Sequence, residues 1–250
     1  MISFIICLVI VLQSGHALPT FETGSMPTCQ TKNNNVDECL KTYLQEAIKH
    51  SSQGNTKFAI PPLDPYFIPK LTMSPNKNVG GVVIEMKNAS TYGFSKAVVK
   101  KVHADPQKGV FEGHYNVPVS TLLGHYNLTG KVFSIPINGN GKSNVTMYDV
   151  YHTVKVLGDV NVNNADGKKY LNVNSVLMHV KPKKMKFKFE QLFKDNKQLS
   201  DTLNGMLNDN WEEVFGRLQP KLEEEMSKHM FILVKRFFND VPYSDLFPDV

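Results

Sequence analysis

One stretch of the sequence has the residue types of a phosphate-binding loop. Gly139-Asn140-Gly141-Lys142-Ser143 contains the Gly-Lys-Ser with which such loops hold phosphate oxygens and a magnesium ion. The pattern also requires a glycine at position 136, where this sequence has a proline, and a helix after the serine. Strand-like residues follow instead, beginning at Val145. We therefore predict a hairpin turn here and no phosphate site.

The other residues that could do chemistry do not form a catalytic pattern. The eight histidines are scattered and include no His-Glu-x-x-His pair for zinc, and the sequence has no Gly-x-Ser-x-Gly elbow of a serine hydrolase. The run Glu223, Glu224 and Glu225 is explained by the solvated first turn of a helix. The sequence assigns no catalytic residue, no metal ligand and no cofactor, so we predict that the chain is not an enzyme.

His152 is the polar residue that stands out from its surroundings. It alternates in phase with Tyr148, Val150, Val154 and Val156, which puts it on an apolar face of a strand. Two interpretations stay open. The ring is either a core histidine that is hydrogen-bonded to the backbone, or a donor that orients the polar end of a ligand in an apolar pocket.

The cysteines predict one disulfide. Of the three, Cys7 lies in an N-terminal apolar run, which leaves Cys29 and Cys39 as an even pair. In an oxidising compartment such a pair forms a disulfide, and no further histidine or cysteine stands at metal-ligand spacing. We expect the bond to tie the N-terminal segment to the first helix.

The N-terminus predicts export. The apolar run over residues 1–12 is shorter than the roughly 20 residues that span a bilayer. Small residues at Gly15 and Ala17 fit a signal peptide, residues 1–17, that is cleaved after Ala17; an uncleaved anchor is the alternative. We expect a secreted, extracellular protein without stable membrane insertion.

Glycosylation sequons and net charge agree with an extracellular location. Three sequons, at Asn88, Asn127 and Asn144, predict N-glycosylation at one or more of these positions. The formal net charge is +5. A secreted protein rarely meets nucleic acid, so we expect no nucleic-acid partner and only a weak attraction to acidic surfaces.

The hydrophobic content, 41%, is enough for one substantial core, and we assign residues 18–250 to a single domain. Apolar residues at helical spacing predict a first helix over residues 36–48. Four prolines between Ile60 and Pro69 exclude a helix or a central strand. Residues 79–189 alternate as strands of an antiparallel sheet, with a second hairpin turn at residues 163–167.

The C-terminal part predicts helices. One apolar stripe extends from Leu199 to Phe215, and we expect Gly216 and Pro220 to end that helix, with a new one beginning near Glu223. The final helix is apolar on two lines, so it needs cover on more than one side. A strongly curved sheet would supply that cover.

Several motifs and their order along the chain resemble those of the insect Takeout / haemolymph juvenile-hormone-binding protein family of the tubular lipid-binding superfamily. The resemblance covers nearly all of residues 18–250. It is carried by Cys29 and Cys39-Leu40, Ile60-Pro61-Pro62-Leu63-Asp64-Pro65, Leu123-Gly124-His125-Tyr126-Asn127-Leu128-Thr129-Gly130-Lys131-Val132, Pro136-Ile137-Asn138-Gly139-Asn140-Gly141, Trp211-Glu212, Pro220 and Val241-Pro242-Tyr243-Ser244-Asp245-Leu246-Phe247.

The resemblance implies an α+β fold of the α/β-wrap type, a long C-terminal helix enclosed by a highly curved antiparallel sheet. It also implies a monomeric carrier with an internal apolar tunnel for a terpenoid, quinone, fatty acid or related lipid. The hormone-binding branch usually has a second disulfide, and no cysteine follows Cys39 here. That departure favours the Takeout branch over a juvenile-hormone carrier.

We expect the tunnel to be lined by inward-facing residues of the strands and of the last helix. They are Phe133, Ile135, Tyr148, Val150, His152, Val154, Met178, Phe187, Met230 and Leu233. Two alternatives stay open: a secreted esterase that acts on such lipids, and an interaction protein whose core is filled and holds no ligand.

Overall fold

The computed structural model of the chain describes residues 28–32, 35–55, 60–74, 82–163, 166–194 and 196–250. The predicted signal peptide, residues 1–17, lies outside these residues. The elements, in chain order, are α1 (Val36–His50), β1 (Tyr66–Met73), β2 (Val83–Tyr92), a short 3-10 helix (Phe94–Lys96), β3 (Val98–Asp105), β4 (Val110–Val132), β5 (Ile135–Val162), β6 (Lys169–Lys181), β7 (Lys184–Phe189), α2 (Lys197–Asp209), α3 (Trp211–Asp240) and α4 (Tyr243–Leu246).

A long hairpin, β4 followed by β5, forms the centre of one sheet. The edge of β4 that does not pair with β5 pairs first with β3 and then with β2, and β2 pairs in turn with β1. The outer side of β5 pairs with β7 along its first half and with β6 along its second half. Every one of these pairings is antiparallel, as the alternating sequence pattern predicts.

The sheet curves around helix α3. This helix contacts β6 and β7 at one margin of the sheet and β1 at the other. At the second contact the rings of Tyr66 and His229 meet edge to face, with centroids 6.3 Å apart. Among the described strands β1 and β6 are not paired with each other, so the sheet stays open. The predicted α/β-wrap is confirmed.

The central hairpin has a kink at which its buried face changes. In β5 the buried positions include Ile137 and Ser143 before the kink, and Val150 and His152 after it. Odd-numbered residues therefore face the core first and even-numbered residues face it later. The change occurs at Asp149, whose φ of 50° lies in the left-handed region that interrupts the pleat.

The partner strand changes face at the same level, because Pro118 and Val119 are exposed side by side in β4. The kink places Tyr148 differently from the sequence pattern. Tyr148 lies opposite Lys184 of β7, and directly opposed residues share a face. Because Lys184 is exposed, Tyr148 lies on the outer face of the sheet, the face turned away from α3, and out of phase with Val150.

The hairpin turn expected at Gly139 and Gly141 is wrong, because both glycines lie inside β5. The chain reverses earlier, at Phe133 and Ser134, which have φ values of 47° and 68°. The glycines are needed for a different reason. A Cβ on Gly139 would lie 2.9 Å from the Cα of Leu192, so the chain after β7 crosses β5 too closely for a side chain. The other predicted turn, at residues 163–167, lies partly outside the described residues, since 164 and 165 are not among them, and the strands on either side of it, β5 and β6, pair as a hairpin.

The expected helix break at Gly216 and Pro220 is also wrong. The break lies at Asn210, between α2 and α3, and α3 continues through both residues. A proline inside a helix clashes with the carbonyl group four residues earlier, which here belongs to Gly216. Gly216 has no side chain and open space around it, so the backbone can tilt without ending the helix.

Strand β7 confirms the alternation predicted for it. Its three apolar residues are buried and its three lysines are exposed; these are Met185, Phe187 and Phe189, and Lys184, Lys186 and Lys188.

The free edge of β7 is covered by asparagine side chains of α2. The Asn208 amide nitrogen donates to the Phe187 carbonyl oxygen at 2.9 Å, and its side-chain oxygen accepts from the Phe187 backbone nitrogen at 2.7 Å. Asn204, one turn earlier, makes the same two contacts with Phe189, each at 2.9 Å. These side chains satisfy backbone groups that another strand would otherwise pair.

Helix α3 covers the edge of β6 in the same way, along what we call the β6–α3 seam. The Gln219 amide donates to the Val180 carbonyl oxygen at 3.0 Å, and the Val180 backbone nitrogen donates to the Glu223 carboxylate at 2.9 Å. The Met178 backbone nitrogen donates to the Ser227 hydroxyl at 2.9 Å. The acidic run expected to begin a helix therefore lies in the middle of one.

Helix α1 covers β3. The Gln45 side chain accepts from the Val99 backbone nitrogen at 2.9 Å and donates to the Ala97 carbonyl oxygen at 3.0 Å. Asp37 accepts from the Ala104 backbone nitrogen at 2.8 Å. Each helix thus replaces a neighbouring strand.

The two ends of the described chain are held together. Cys29 and Cys39 form a disulfide with their Cα atoms 5.9 Å apart. The Cys29 backbone nitrogen donates to the Leu246 carbonyl oxygen at 2.9 Å. The Asp249 carboxylate accepts from the backbone nitrogen of Thr31 at 2.9 Å and from its hydroxyl at 3.0 Å.

Candidate functional site

The kink in the central hairpin opens a cavity of about 160 Å³ between the sheet and α3. Its wall is built from the strands β1, β2, β4, β5 and β6, from the 3-10 helix, from α3 and from the segment that precedes β1. The lining residues are Leu63, Tyr66, Ile68, Leu71, Thr91, Phe94, Val117, Ser120, Leu122, Met147, His152, Met178, Leu222, Met226, His229, Met230 and Leu233.

The lining is mainly apolar and rich in methionine. Met147, Met178, Met226 and Met230 line the cavity from three different elements. Methionine has three rotatable bonds and a polarizable sulfur atom, so its side chain adjusts to ligands of different shapes. Such a wall can enclose an apolar molecule without strict shape requirements.

His152 is the buried polar group of this wall. It is 5% exposed, and its Nδ1 atom has no hydrogen-bond partner among the described residues. Burial lowers the pKa of His152 to about 4, so the ring is neutral at pH 7. A neutral imidazole has one donor and one acceptor nitrogen. Of the two interpretations that the sequence left open, the unpartnered Nδ1 atom favours a ring that orients the polar end of a ligand.

Four other polar side chains, Tyr66, Thr91, Ser120 and His229, contribute to the wall. Ser120 is 8% exposed and lies on β4 just beyond the kink. Tyr66 lies against His229 where β1 meets α3. Burial raises the pKa of Tyr66, so its hydroxyl stays protonated and can donate a hydrogen bond.

Asp64 holds one end of the cavity wall in place. Its carboxylate accepts from the backbone nitrogen of Gly93 at 3.0 Å and from the backbone nitrogen and the hydroxyl of Ser95. The neighbouring residues Leu63 and Phe94 both line the cavity. The proline-rich motif around Asp64 therefore anchors the segment before β1 to the 3-10 helix. The sequence pattern gave no sign of this role.

The structure brings four of the ten predicted tunnel residues together around this cavity: His152, Met178, Met230 and Leu233. Leu222 and Met226, on the same apolar line of α3, also line it, and the spacing of that line could have identified them.

The other predicted tunnel residues lie elsewhere. Val150 and Phe187 are buried in the main core, and Phe133 packs against it from the hairpin turn. Val154 packs in a second core near the end of α3. Ile135 is half-buried just after the turn, and Tyr148 lies on the outer face. Which of the ten contact a ligand stays a prediction.

One cluster outside the cavity has the order of groups found in hydrolases. The Thr153 hydroxyl lies 3.3 Å from Nδ1 of His114, and Nε2 of His114 lies 2.9 Å from the Glu112 carboxylate. Successive residues of a strand point to opposite faces of a sheet. Because His152 faces the cavity, Thr153 faces outward, so this cluster and the cavity lie on opposite sides of the sheet.

The three sequon asparagines are exposed. Asn88 and Asn144 line one cleft of about 380 Å³ on the outer face, and Asn127 lies on β4. The Asn144 side-chain oxygen accepts from the hydroxyl of Thr146, in the same sequon, at 2.9 Å. Glycosylation at these positions stays a prediction.

The described part of the chain contains no group of three or more histidine, cysteine, aspartate or glutamate side chains placed to hold a metal ion. No helix in it is both long enough and apolar enough to cross a bilayer.

Known proteins resemble this chain in sequence and in fold. The circadian clock-controlled protein daywake of Drosophila melanogaster is 30% identical over 130 residues, and that of Drosophila yakuba is 27% identical over 132 residues. These matches cover 52% and 53% of this chain, which spans about half the length of the curated relatives it matches.

The crystal structure of Takeout 1 from Epiphyas postvittana superposes with a TM-score of 0.78 at 22% identity, covering 89% of this chain and 99% of that one. It has the same fold. The model of the family described as haemolymph juvenile hormone binding protein matches residues 5–248. The chain belongs to the haemolymph juvenile hormone binding protein family, as its sequence motifs predicted.

Proposed function

We propose that this protein is a carrier that binds a small hydrophobic ligand in the cavity beside His152. The observation that carries the proposal is an apolar cavity between the sheet and α3 whose wall contains a deeply buried imidazole with no partner for Nδ1 among the described residues. A cavity of this kind leaves both apolar surface and a hydrogen-bonding group unsatisfied, and one ligand could satisfy both. Family membership supports the same conclusion, since the family is named for hormone binding.

The proposed ligand has an apolar body and one oxygen atom that hydrogen-bonds to His152. Terpenoids, quinones and fatty acids have this composition. Juvenile hormone is one candidate among them, and the lack of a cysteine after Cys39 favours a broader, Takeout-like range of ligands. Burial of apolar ligand surface would drive binding, at roughly 25 cal/mol per Å² before the cost of ordering.

The carrier is proposed to act outside the cell as a monomer. The extracellular location rests on the predicted signal peptide, residues 1–17, and on the sequons at Asn88, Asn127 and Asn144. It also rests on the disulfide between Cys29 and Cys39, a bond that persists in oxidising compartments.

Mass spectrometry of an organic extract from the purified, secreted protein tests the proposal. We expect a hydrophobic molecule in stoichiometric amount, released on denaturation. An empty extract from a protein that also takes up no terpenoid, quinone or fatty-acyl probe would favour the filled-core interaction protein.

The esterase alternative is tested by hydrolysis of model esters. Because the cluster of Thr153, His114 and Glu112 lies on the opposite face from the cavity, we expect no turnover of these esters. Turnover that is lost in His114→Gln would instead assign the hydrolysis to that cluster.

A further inference from the structure

We propose that the groove outside the β6–α3 seam is the port through which an apolar ligand enters and leaves the cavity. This inference rests on the proposed carrier function. The groove has a volume of about 860 Å³ and lies between β6 and the middle of α3. Met178 lines both the groove and the internal cavity. The cavity and the groove therefore adjoin at this residue.

The groove offers apolar surface to a molecule that approaches from outside. Leu177 is 56% exposed and Ile232 is 64% exposed, and Phe231 lies beside them in the same groove. Leu177 precedes Met178 in β6 and points to the opposite face of the strand, so the exposed rim of the groove adjoins the residue that lines both spaces. A ligand would meet this apolar rim beside the charged side chains of Glu224 and Lys228, which line the same groove.

The seam is closed by contacts that can open without unpairing the sheet. Three hydrogen bonds between helix side chains and strand backbone groups join β6 to α3, and an ion pair between His179 and Glu223, 2.8 Å apart, joins their side chains. Ser227 makes the contact closest to the port, because it binds the backbone nitrogen of Met178 itself. Opening of the seam breaks this neutral hydrogen bond together with the contacts of Glu223, and it leaves the pairing of β6 with β5 intact.

Helix α3 has a weak point from which this opening can start. Pro220 has no backbone N–H, so the carbonyl group of Gly216 lacks its helical partner. The part of α3 beyond Pro220 carries the cavity residues Leu222, Met226 and Met230. Bending at Gly216 and Pro220 would move this part away from β6 and uncover Met178.

The α2–β7 edge supplies a matched control within the same molecule. There Asn208 also joins a helix to an edge strand through side-chain hydrogen bonds, and its partner Phe187 does not line the cavity. If general loosening of helix from sheet admitted the ligand, Asn208→Ala would act like a change at Ser227. If the port is specific, only the change at Ser227 acts.

The test is stopped-flow fluorescence with N-phenyl-1-naphthylamine as the apolar probe, measured on the full mature protein. Ser227→Ala should raise the association and dissociation rate constants together by about fivefold, the factor expected for the loss of one hydrogen bond. The dissociation constant should not change, because Ser227 does not line the cavity. Pro220→Ala, which restores the bond to Gly216, should lower both rate constants.

Asn208→Ala should leave both rate constants at the wild-type values. The port proposal is overturned if the wild type binds the probe and Ser227→Ala leaves both rate constants unchanged. It is also overturned if Asn208→Ala raises the rate constants as much as Ser227→Ala does. A wild type that binds no probe at all overturns the carrier function and the port together. The two proposals can therefore fail separately.

Discussion

At the scale of single residues, His152 combines two properties that rarely occur together in a core. It is deeply buried, and Nδ1 has no hydrogen-bond partner among the described residues. An unsatisfied buried polar group costs about 1–3 kcal/mol relative to one that is paired. Nothing in the packing requires a histidine at this position, since Val150, two residues earlier on the same strand, is fully buried without any polar group. The ligand of the proposed carrier would supply the missing partner.

The first prediction concerns ligand binding by His152→Phe. We expect this variant to bind an oxygenated ligand, such as a fatty acid, about fivefold more weakly, because one hydrogen bond of about 1 kcal/mol is lost. A hydrocarbon of the same chain length should bind both proteins equally well. Fluorescence displacement titrations measure both affinities. Equal losses for the two ligands would show that the ring acts only through packing.

The second prediction concerns pH. The folded pKa of His152, about 4, lies below the usual value near 6.5, so the unfolded chain takes up the proton first as the pH falls. Its contribution to stability is therefore complete above pH 6.5 and is lost as the pH falls towards 4. Between pH 7 and pH 4 the wild type should lose about 3 kcal/mol more free energy of unfolding than His152→Phe.

Urea unfolding at a series of pH values measures this difference. Ser120→Ala removes a buried polar group of the same cavity wall that does not titrate in this range, so it should keep the wild-type pH dependence. A His152→Phe variant that loses stability in parallel with the wild type would contradict the prediction.

At the scale of elements, the kink in the central hairpin makes the cavity. Because the buried face changes between Met147 and Val150, neighbouring side chains on the inner side diverge there and leave space. Met147 and His152, from the two halves of β5, both line that space. An uninterrupted strand would have kept the inner side chains in one row and closed the gap.

The third prediction concerns the kink residue. Asp149 has a φ of 50°, a conformation that glycine adopts freely and that β-branched residues avoid. Asp149→Val should lower the free energy of unfolding by roughly 1–2 kcal/mol relative to Asp149→Gly. Both variants lose the exposed ion pair with Lys183, so the comparison isolates the backbone. Equal stability of the two variants in urea would contradict it.

The elements differ in how far the sequence could predict them. The period-2 alternation of apolar residues was sufficient to predict β7, because one face of that strand is buried and the other is exposed to solvent. The turn signal at Gly139 failed, because this glycine is required by Leu192, a residue far along the chain that no local pattern can reveal. The helix-break signal at Pro220 failed, because the glycine four residues earlier relieves the clash. The phase of β5 was predicted correctly after Asp149 but not for Tyr148 just before it, because the change of phase depends on a single dihedral angle.

At the scale of the whole molecule, the two ends of the described chain lock onto each other. Asp249 binds Thr31, and the disulfide joins the same N-terminal segment to α1. Family motifs predicted the wrap and the even pair of cysteines predicted the disulfide, but nothing predicted this contact, since Thr31 and Asp249 have no distinctive sequence context. The cavity itself was expected only from the family resemblance, because its wall is assembled from seven elements spread along the chain.

The fourth prediction concerns the disulfide. The double variant Cys29→Ser/Cys39→Ser should lose about 2–3 kcal/mol of unfolding free energy, the loop-closure contribution of a short loop. Urea unfolding measures the loss, and a reducing agent should destabilise the wild type by a similar amount while leaving the double variant unaffected. If the double variant is as stable as the wild type, the contacts of Asp249 alone hold the ends together.

The helices that border the sheet also affect how copies of the protein meet one another. The edges of β3, β6 and β7 are bonded to side chains of α1, α3 and α2, and β1 carries Pro69, which has no N–H to offer. When two copies collide at high concentration, these strand edges therefore offer few free backbone groups for pairing. A sheet shared between copies, which is the first step towards fibrils, then has few strand edges from which it could grow. A protein built in this way can stay unaggregated at high concentration, and for the proposed carrier the amount of ligand bound would then depend on abundance as well as on affinity.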